Sequence, residues 1–238
     1  MSDQYDSETS KHYAAYRPPI HGKILEHALR ETSQTTFNLG LDIGCGTGVS
    51  TEVLRQHCAN VVGIDPSIDM LTKAQSQTGV SFTQGKGECI PLGAHSVDIV
   101  TFAGSLSYAN KSLVVSELLR VCRSNAFIVA YDFKVMLSEF LDRLGAQFPP
   151  PSSQYNHAEN FTGFNDLYEL KVYDGDITIE MSAKQLSHVL FSSTKYYKVL
   201  VERFGADDTF TKVVEALGED ETHHVKVETY YSTYQVKA

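Results

Sequence analysis

Short apolar runs alternate along this chain with stretches whose apolar residues recur at helical spacing. Leu39 to Ile43, Asn60 to Ile64, Val80 to Thr83, Ser96 to Phe102 and Ala126 to Tyr131 have strand length. Such runs read as the buried strands of a parallel sheet. Between them, Val49 to Cys58 places Val49, Val53 and Leu54 on one face. Ser67 to Gln77 does the same with Met70, Leu71 and Ala74, and Lys111 to Cys122 with Leu113, Val114, Leu118 and Val121. These spacings predict helices. Pro18 and Pro19 end any helix before them, and Ile20, Ile24, Leu25, Ala28 and Leu29 predict a new one over Pro19 to Glu31. Strand and helix in alternation predict an α/β, doubly wound sheet.

Beyond Asp132 the pattern changes. Val135 to Leu144 predicts a helix, Leu170 to Tyr173 a sixth strand, and Ser182 to Ser192, Thr194 to Phe204 and Thr209 to Leu217 three more helices. His223 to Val236 alternates polar and apolar positions, which suits a long final strand. Arg123-Ser124-Asn125 predicts a short turn before the fifth strand. Phe148 to His157 is a proline-rich loop expected over the active face, and Met1 to Ser10 is expected to be disordered or to order only on binding. The division that follows is 1–31 for the tail and cap helix and 32–133 for a cofactor-binding core. Residues 134–220 form a helical insertion with the sixth strand, and 221–238 the last strand.

The first strand runs into Asp42-Ile43-Gly44-Cys45-Gly46-Thr47-Gly48 and then a helix. Residues without a Cβ allow positive φ and close approach of a ligand. A helix opening after them turns its N–H groups and positive dipole end to that ligand. The dinucleotide pattern would need a third glycine where Val49 stands, and no Gly-Lys-Ser/Thr ends the turn. The second strand ends in Asp65, whose carboxylate can accept both hydroxyls of a ribose. A ribose site without a diphosphate cradle points to an adenosine with a non-phosphate tail.

Asp42 to Gly48, Gly63-Ile64-Asp65-Pro66-Ser67 with Met70, and Glu88 to Leu92 followed by Ser96 to Val100 together resemble the class I S-adenosylmethionine-dependent methyltransferases. The likeness covers about residues 39 to 131. It implies a Rossmann-like, mostly parallel seven-stranded sheet with an antiparallel last strand and a helical cap. It also implies S-adenosyl-L-methionine as cofactor, with S-adenosyl-L-homocysteine as product. On this likeness the cofactor would be held by Asp42, Gly44, Cys45, Gly46 and Gly48, by Asp65 and Pro66 at the ribose, and by Met70 against the adenine. Gly87 or Glu88 would serve the adenine amino group, since Lys86 stands where relatives carry an aspartate and lysine cannot accept a hydrogen bond. Phe102 and Ala103 would lie near the methionine amine. Tyr16 and Arg17, in Tyr-x-x-Tyr-Arg-Pro, would form a lid.

Composition narrows the acceptor. The 238 residues carry a net charge of −9, which disfavours a nucleic-acid substrate. The four cysteines show no C-x-x-C pairing, so neither a zinc site nor a disulfide framework is expected. No apolar run has membrane-spanning length. The expectation is a cytoplasmic monomer or homodimer acting on a small molecule at a carboxylate or hydroxyl oxygen. A tRNA or protein methyltransferase, or a binding protein without catalysis, is the alternative. An ionised carboxylate needs no base, whereas a hydroxyl acceptor gains from one. The candidates are Asp132, His157 and His188, and no metal is expected.

Overall fold

A computed structural model describes residues 8, 9, 11–13, 15–146 and 155–237. Two expectations, order only on binding over residues 1–10 and a proline-rich loop over the active face, rest largely on residues outside that set. The middle of the sheet is β1 (Phe37–Ile43), between β2 (Cys58–Asp65) and β4 (Val97–Ala103). β2 carries β3 (Val80–Gln84), and β5 (Cys122–Val135) joins β4; all four pairings are parallel. With β7 (Thr222–Val236) and β6 (Leu167–Ser182) the order is β3-β2-β1-β4-β5-β7-β6, the last strand antiparallel. This is the Rossmann-like α/β sheet that the alternation and the resemblance imply. Strand order reverses between β1 and β4, and in such sheets the crevice at the reversal is where ligands bind. Ile43 pairs with Phe102, so Gly44 and Ala103 leave the sheet side by side.

Two compact units divide the chain. The larger comprises 20–133, 155–175 and 229–238, and the smaller 1–19, 134–154 and 176–228. In the larger, α1 (Ile20–Ala28), α2 (Val49–Arg55), α3 (Ile68–Leu71) and α4 (Lys111–Val121) accompany the strands. Leu41, Val100, Phe102, Val114, Leu118 and Ile128 are wholly buried in one cluster that Phe161 and Tyr234 complete. In the smaller unit are α5 (Ser138–Arg143), α6 (Ala183–Phe191), α7 (Thr194–Phe204) and α8 (Thr209–Leu217). Leu186, Leu190, Leu200, Val213 and Leu217 are buried there. Ser182 caps α6 in a reciprocal box with Gln185, which satisfies two otherwise orphaned N–H groups.

Four elements differ from the pattern reading. The helix expected over Ser67 to Gln77 is only Ile68–Leu71, and Met70 is 44% exposed. Asp69, Thr72, Lys73, Gln75, Ser76 and Gln77 leave too few apolar side chains to hold a longer helix. Arg123-Ser124-Asn125 is no turn: β5 begins at Cys122 and bulges. Val97 faces Cys122 and Ile99 faces Phe127, with Asn125 at φ 65° absorbing the excess, a conformation asparagine tolerates. β5 also runs on to Val135, so α5 starts at Ser138 where the helix was expected from Val135. The sixth strand covers Leu167–Ser182 where only Leu170 to Tyr173 was expected. Asp174-Gly175-Asp176 resembles a turn, yet from Lys171 to Met181 the odd-numbered residues are the more buried ones. One phase through both halves is one strand.

Candidate functional site

The turn that opens the crevice between β1 and β4 is shaped by bare glycines. Gly44 takes φ 73°, and a Cβ there would stand 2.3 Å from the Ser105 Cβ. Ser105 Oγ in turn donates to the Ile43 carbonyl, which fixes the post-β4 loop against the glycine turn. Gly48, at φ 89°, leaves room for the Phe82 ring, which a Cβ would meet at 2.6 Å. Gly44 and Cys45 N–H both donate to the Ile64 carbonyl, at 2.8 and 3.0 Å, so the turn is tied to β2.

Two carboxylates hold this arrangement in different ways. Asp42 is completely buried. Its Oδ2 accepts from Ser50 Oγ at 2.6 Å and Thr51 Oγ1 at 2.7 Å, and its Oδ1 from Thr101 Oγ1 at 2.8 Å. Burial pushes this carboxyl above its ordinary range, while the three hydroxyls pull the other way. It staples α2 and β4 to β1 from beneath the turn and is absent from the lining of the cleft. Asp65 is 8% exposed and does line the cleft. Its Oδ2 accepts from Gly46 N at 2.9 Å and its Oδ1 from Ser67 N at 2.8 Å. Each oxygen retains a lone pair, so the carboxylate can still accept from a diol.

The cleft has a volume of about 290 Å³. Seven of the predicted residues line it: Gly44, Asp65, Pro66, Gly87, Glu88, Phe102 and Ala103. Gly87 is closely packed: a Cβ there would meet Val114 at 3.0 Å and Ile43 at 3.3 Å. Glu88 is steadied by the Asn110 N–H, which donates to Oε1 at 2.8 Å. Cys45, Gly46, Gly48 and Met70 are not on the lining. Burial pushes the Cys45 thiol up to about 12. Tyr16 and Arg17 belong to the smaller unit, where the Arg17 guanidinium lies 4.7 Å from the centre of the Tyr13 ring.

Of the three candidate bases, Asp132 and His157 meet. His157 Nδ1 lies 2.9 Å from Asp132 Oδ2, and Asp132 Oδ1 accepts from Phe133 N at 2.7 Å. The Tyr155 hydroxyl donates to the Gly104 carbonyl at 2.9 Å, and its ring stands edge-on to His157 at 4.7 Å. Burial and the nearby Asp132 charge push Tyr155 up to about 12 against the Ser107 hydrogen bond. His188 belongs to the smaller unit, where its Nδ1 lies 3.0 Å from His12 Nδ1 and its ring 4.6 Å from Phe210. Burial lowers both histidines below their ordinary range. The sequence pattern put Tyr155 in the proline-rich loop Phe148 to His157 but gave it no role, and no local signal marks one.

Known proteins share this fold. A methyltransferase-domain profile matches residues 41–130. A candidate S-adenosylmethionine-dependent methyltransferase of Saccharomyces cerevisiae is 30% identical over 141 residues, 56% of this chain and 47% of that protein. A malonyl-[acyl-carrier protein] O-methyltransferase of Buchnera aphidicola is 26% identical over 180 residues, 73% of this chain and 71% of that protein. A candidate type II methyltransferase structure from Anaeromyxobacter dehalogenans superposes with TM-score 0.68 at 18% identity, covering 93% of this chain and 99% of that one. The chain spans about half the length of several curated relatives, from 47% to 63% in the yeast, slime-mould and archaeal matches. A methyltransferase domain therefore spans residues 41–130, and the sheet has the fold of the class I S-adenosylmethionine-dependent methyltransferases. The cofactor of that class fits the cleft: bare glycines where a backbone must come close, and a carboxylate with lone pairs for a ribose. Among the described residues no group of His, Cys, Asp and Glu could hold a metal ion, and no helix is long and apolar enough to cross a membrane.

Proposed function

We propose that this chain transfers a methyl group from S-adenosyl-L-methionine to an oxygen, carboxylate or hydroxyl, of a small molecule. The observation that carries the reading is Asp65 on a cleft walled by Gly44, Gly87 and Ala103 at the sheet's reversal point. Bound there, the cofactor would supply a sulfonium methyl already activated for displacement. The chain's own part is binding and alignment. Asp65 would accept the ribose hydroxyls, and Phe102 and Ala103 backbone would border the amino-acid end. Holding donor and acceptor in line is worth on the order of 7–11 kcal/mol. An oxygen acceptor is supported by the Buchnera relative, which is named an O-methyltransferase. A small acceptor is supported by the charge of −9, which repels polyanions. The reading keeps the chain a cytoplasmic monomer or homodimer.

The test pairs titration calorimetry with S-adenosyl-L-methionine and assay of S-adenosyl-L-homocysteine formation over a panel of small carboxylates, alcohols and phenols. Micromolar cofactor binding and turnover on one class are expected. No binding, or binding without turnover on any acceptor, would overturn the proposal.

A further inference from the structure

Away from the cleft, one contact ties the N-terminal segment to the helices of the smaller unit. Residues 8, 9 and 11–13 are helical and belong to that unit. His12 Nδ1 lies 3.0 Å from His188 Nδ1 on α6. The His12 ring stacks on Phe210 of α8 at 5.0 Å and 28°. It also stands 5.1 Å from Phe191 of α6 and 6.5 Å from Tyr197 of α7. One half-buried side chain therefore touches all three helices. Tyr16 N–H donates to the His12 carbonyl at 3.3 Å, so Tyr16 and Arg17 follow wherever His12 is held.

Two ring nitrogens at 3.0 Å must divide their roles. A neutral imidazole has one N–H and one lone pair, and an imidazolium has two N–H groups and no lone pair. With both rings neutral, one Nδ1 donates and the other accepts. With one ring charged, its N–H still finds the partner's lone pair. With both charged, two N–H groups and two positive charges face each other and no acceptor remains. The contact survives the first proton and not the second, and the pair titrates as a unit.

We propose that His12 and His188 form an acid-released clasp, which holds residues 8–17 on α6, α7 and α8 while at most one ring is charged and frees them when both are. The clasp is independent of the methyl-transfer reading. Burial lowers both rings below the ordinary histidine range, with the His188 charge adding to it at His12 and Lys184 adding to it at His188. Lowered values favour the neutral rings, so the hold is complete above the ordinary value of about 6.5 and is lost as pH falls through the lowered values. The other groups facing the pair are Glu8 and Lys11 on the same segment, Lys184 on α6 and Tyr197 on α7, while α8 presents Phe210. Glu8 is paired with Lys11, whose hydrogen bond holds that carboxyl below its ordinary range. It is therefore ionised throughout the window in which the histidines titrate, and it is not the switch.

Hydrogen–deuterium exchange of the full chain tests this without turnover. It is read by mass spectrometry over residues 8–17 and corrected for the intrinsic effect of pH on amide exchange. Wild type should exchange about tenfold faster at pH 5 than at pH 7.5, as a local opening does. His188→Phe keeps a ring beside Phe210 but cannot take the second proton, so its step should vanish. His12→Phe, which leaves α6 untouched, should lose the step too and serves if His188→Phe melts early. Glu8→Gln should keep it. In the proton NMR spectrum the two wild-type rings should titrate in two steps, the lower one below the ordinary histidine range, and His12 in His188→Phe in one. A wild-type step under threefold, a full step in both phenylalanine variants, loss of the step in Glu8→Gln, or two rings titrating independently would each overturn the inference.

Discussion

The cleft and the side-chain cluster next to Gly104 are made differently. The cleft is set by the glycine turn, of which Gly44 is on the lining, by Asp65 one strand later, and by bare backbone again at Gly87 and Gly104. The cluster of Asp132, Tyr155, His157 and Tyr230 is made of side chains, gathered from β5, a loop and β7. A site made of bare backbone needs particular glycines at particular spacings, because any Cβ fills it. A site made of side chains needs only that the fold bring them together. The first kind leaves a mark in the sequence and the second does not.

The sharpest way to break this contrast is Gly44→Val. The new side chain would occupy the space of Ser105 and force a β-branched residue to φ 73°. Overpacking costs about 1–3 kcal/mol, and the backbone strain costs a comparable amount. Cofactor affinity by calorimetry should fall at least a hundredfold. Affinity within tenfold of wild type would mean the turn is not the cradle. Next in size is Asp65→Ala, which removes both the acceptor for a ribose and the clamp on Gly46 and Ser67. Charge-assisted hydrogen bonds are worth about 1.5–3 kcal/mol, so affinity should drop roughly tenfold to a hundredfold. A change within twofold would remove Asp65 from the site.

These two positions were legible in advance because spacing alone singled them out. Asp132 and His157 were also named, but as isolated titratable residues, since nothing in a linear pattern shows that positions 25 apart in sequence lie 2.9 Å apart. Tyr155 was legible only as part of the proline-rich loop Phe148 to His157, with no role of its own. In the fold, the buried parallel strands were read closely because each is a continuous apolar run. The bulge at Asn125 and the full length of β6 were not, because asparagine and Asp-Gly-Asp ordinarily signal turns. Only the register with neighbouring strands overrides them.

A smaller effect tests whether the cofactor turn is as rigid and dry as its packing implies. Burial pushes Cys45, Cys58 and Cys122 each up to about 12, whereas Cys89 is exposed. The thiolate is the reactive form. Iodoacetamide at pH 8 should therefore label Cys89 first and leave the other three protected until the chain unfolds, as read by mass spectrometry of digests. Early labelling of Cys45 in the native chain would mean the turn opens readily, and the cradle would then be formed by the ligand rather than waiting for it.

The smallest expected change is at Met70, and it separates what the packing supports from what only the resemblance implies. Met70 is 44% exposed on the four-residue α3, so it is no core side chain. Met70→Ser should alter stability by no more than about 0.5 kcal/mol, measured by urea denaturation without ligand. If its side chain lies along the adenine when cofactor is bound, the substitution removes apolar cover worth about 1 kcal/mol, a several-fold loss of affinity with folding untouched. Unchanged affinity would limit the readable part of the site to bare backbone and one carboxylate. That outcome would widen the difference between the cleft and the side-chain cluster, since the adenine end would then owe nothing to any side chain on α3.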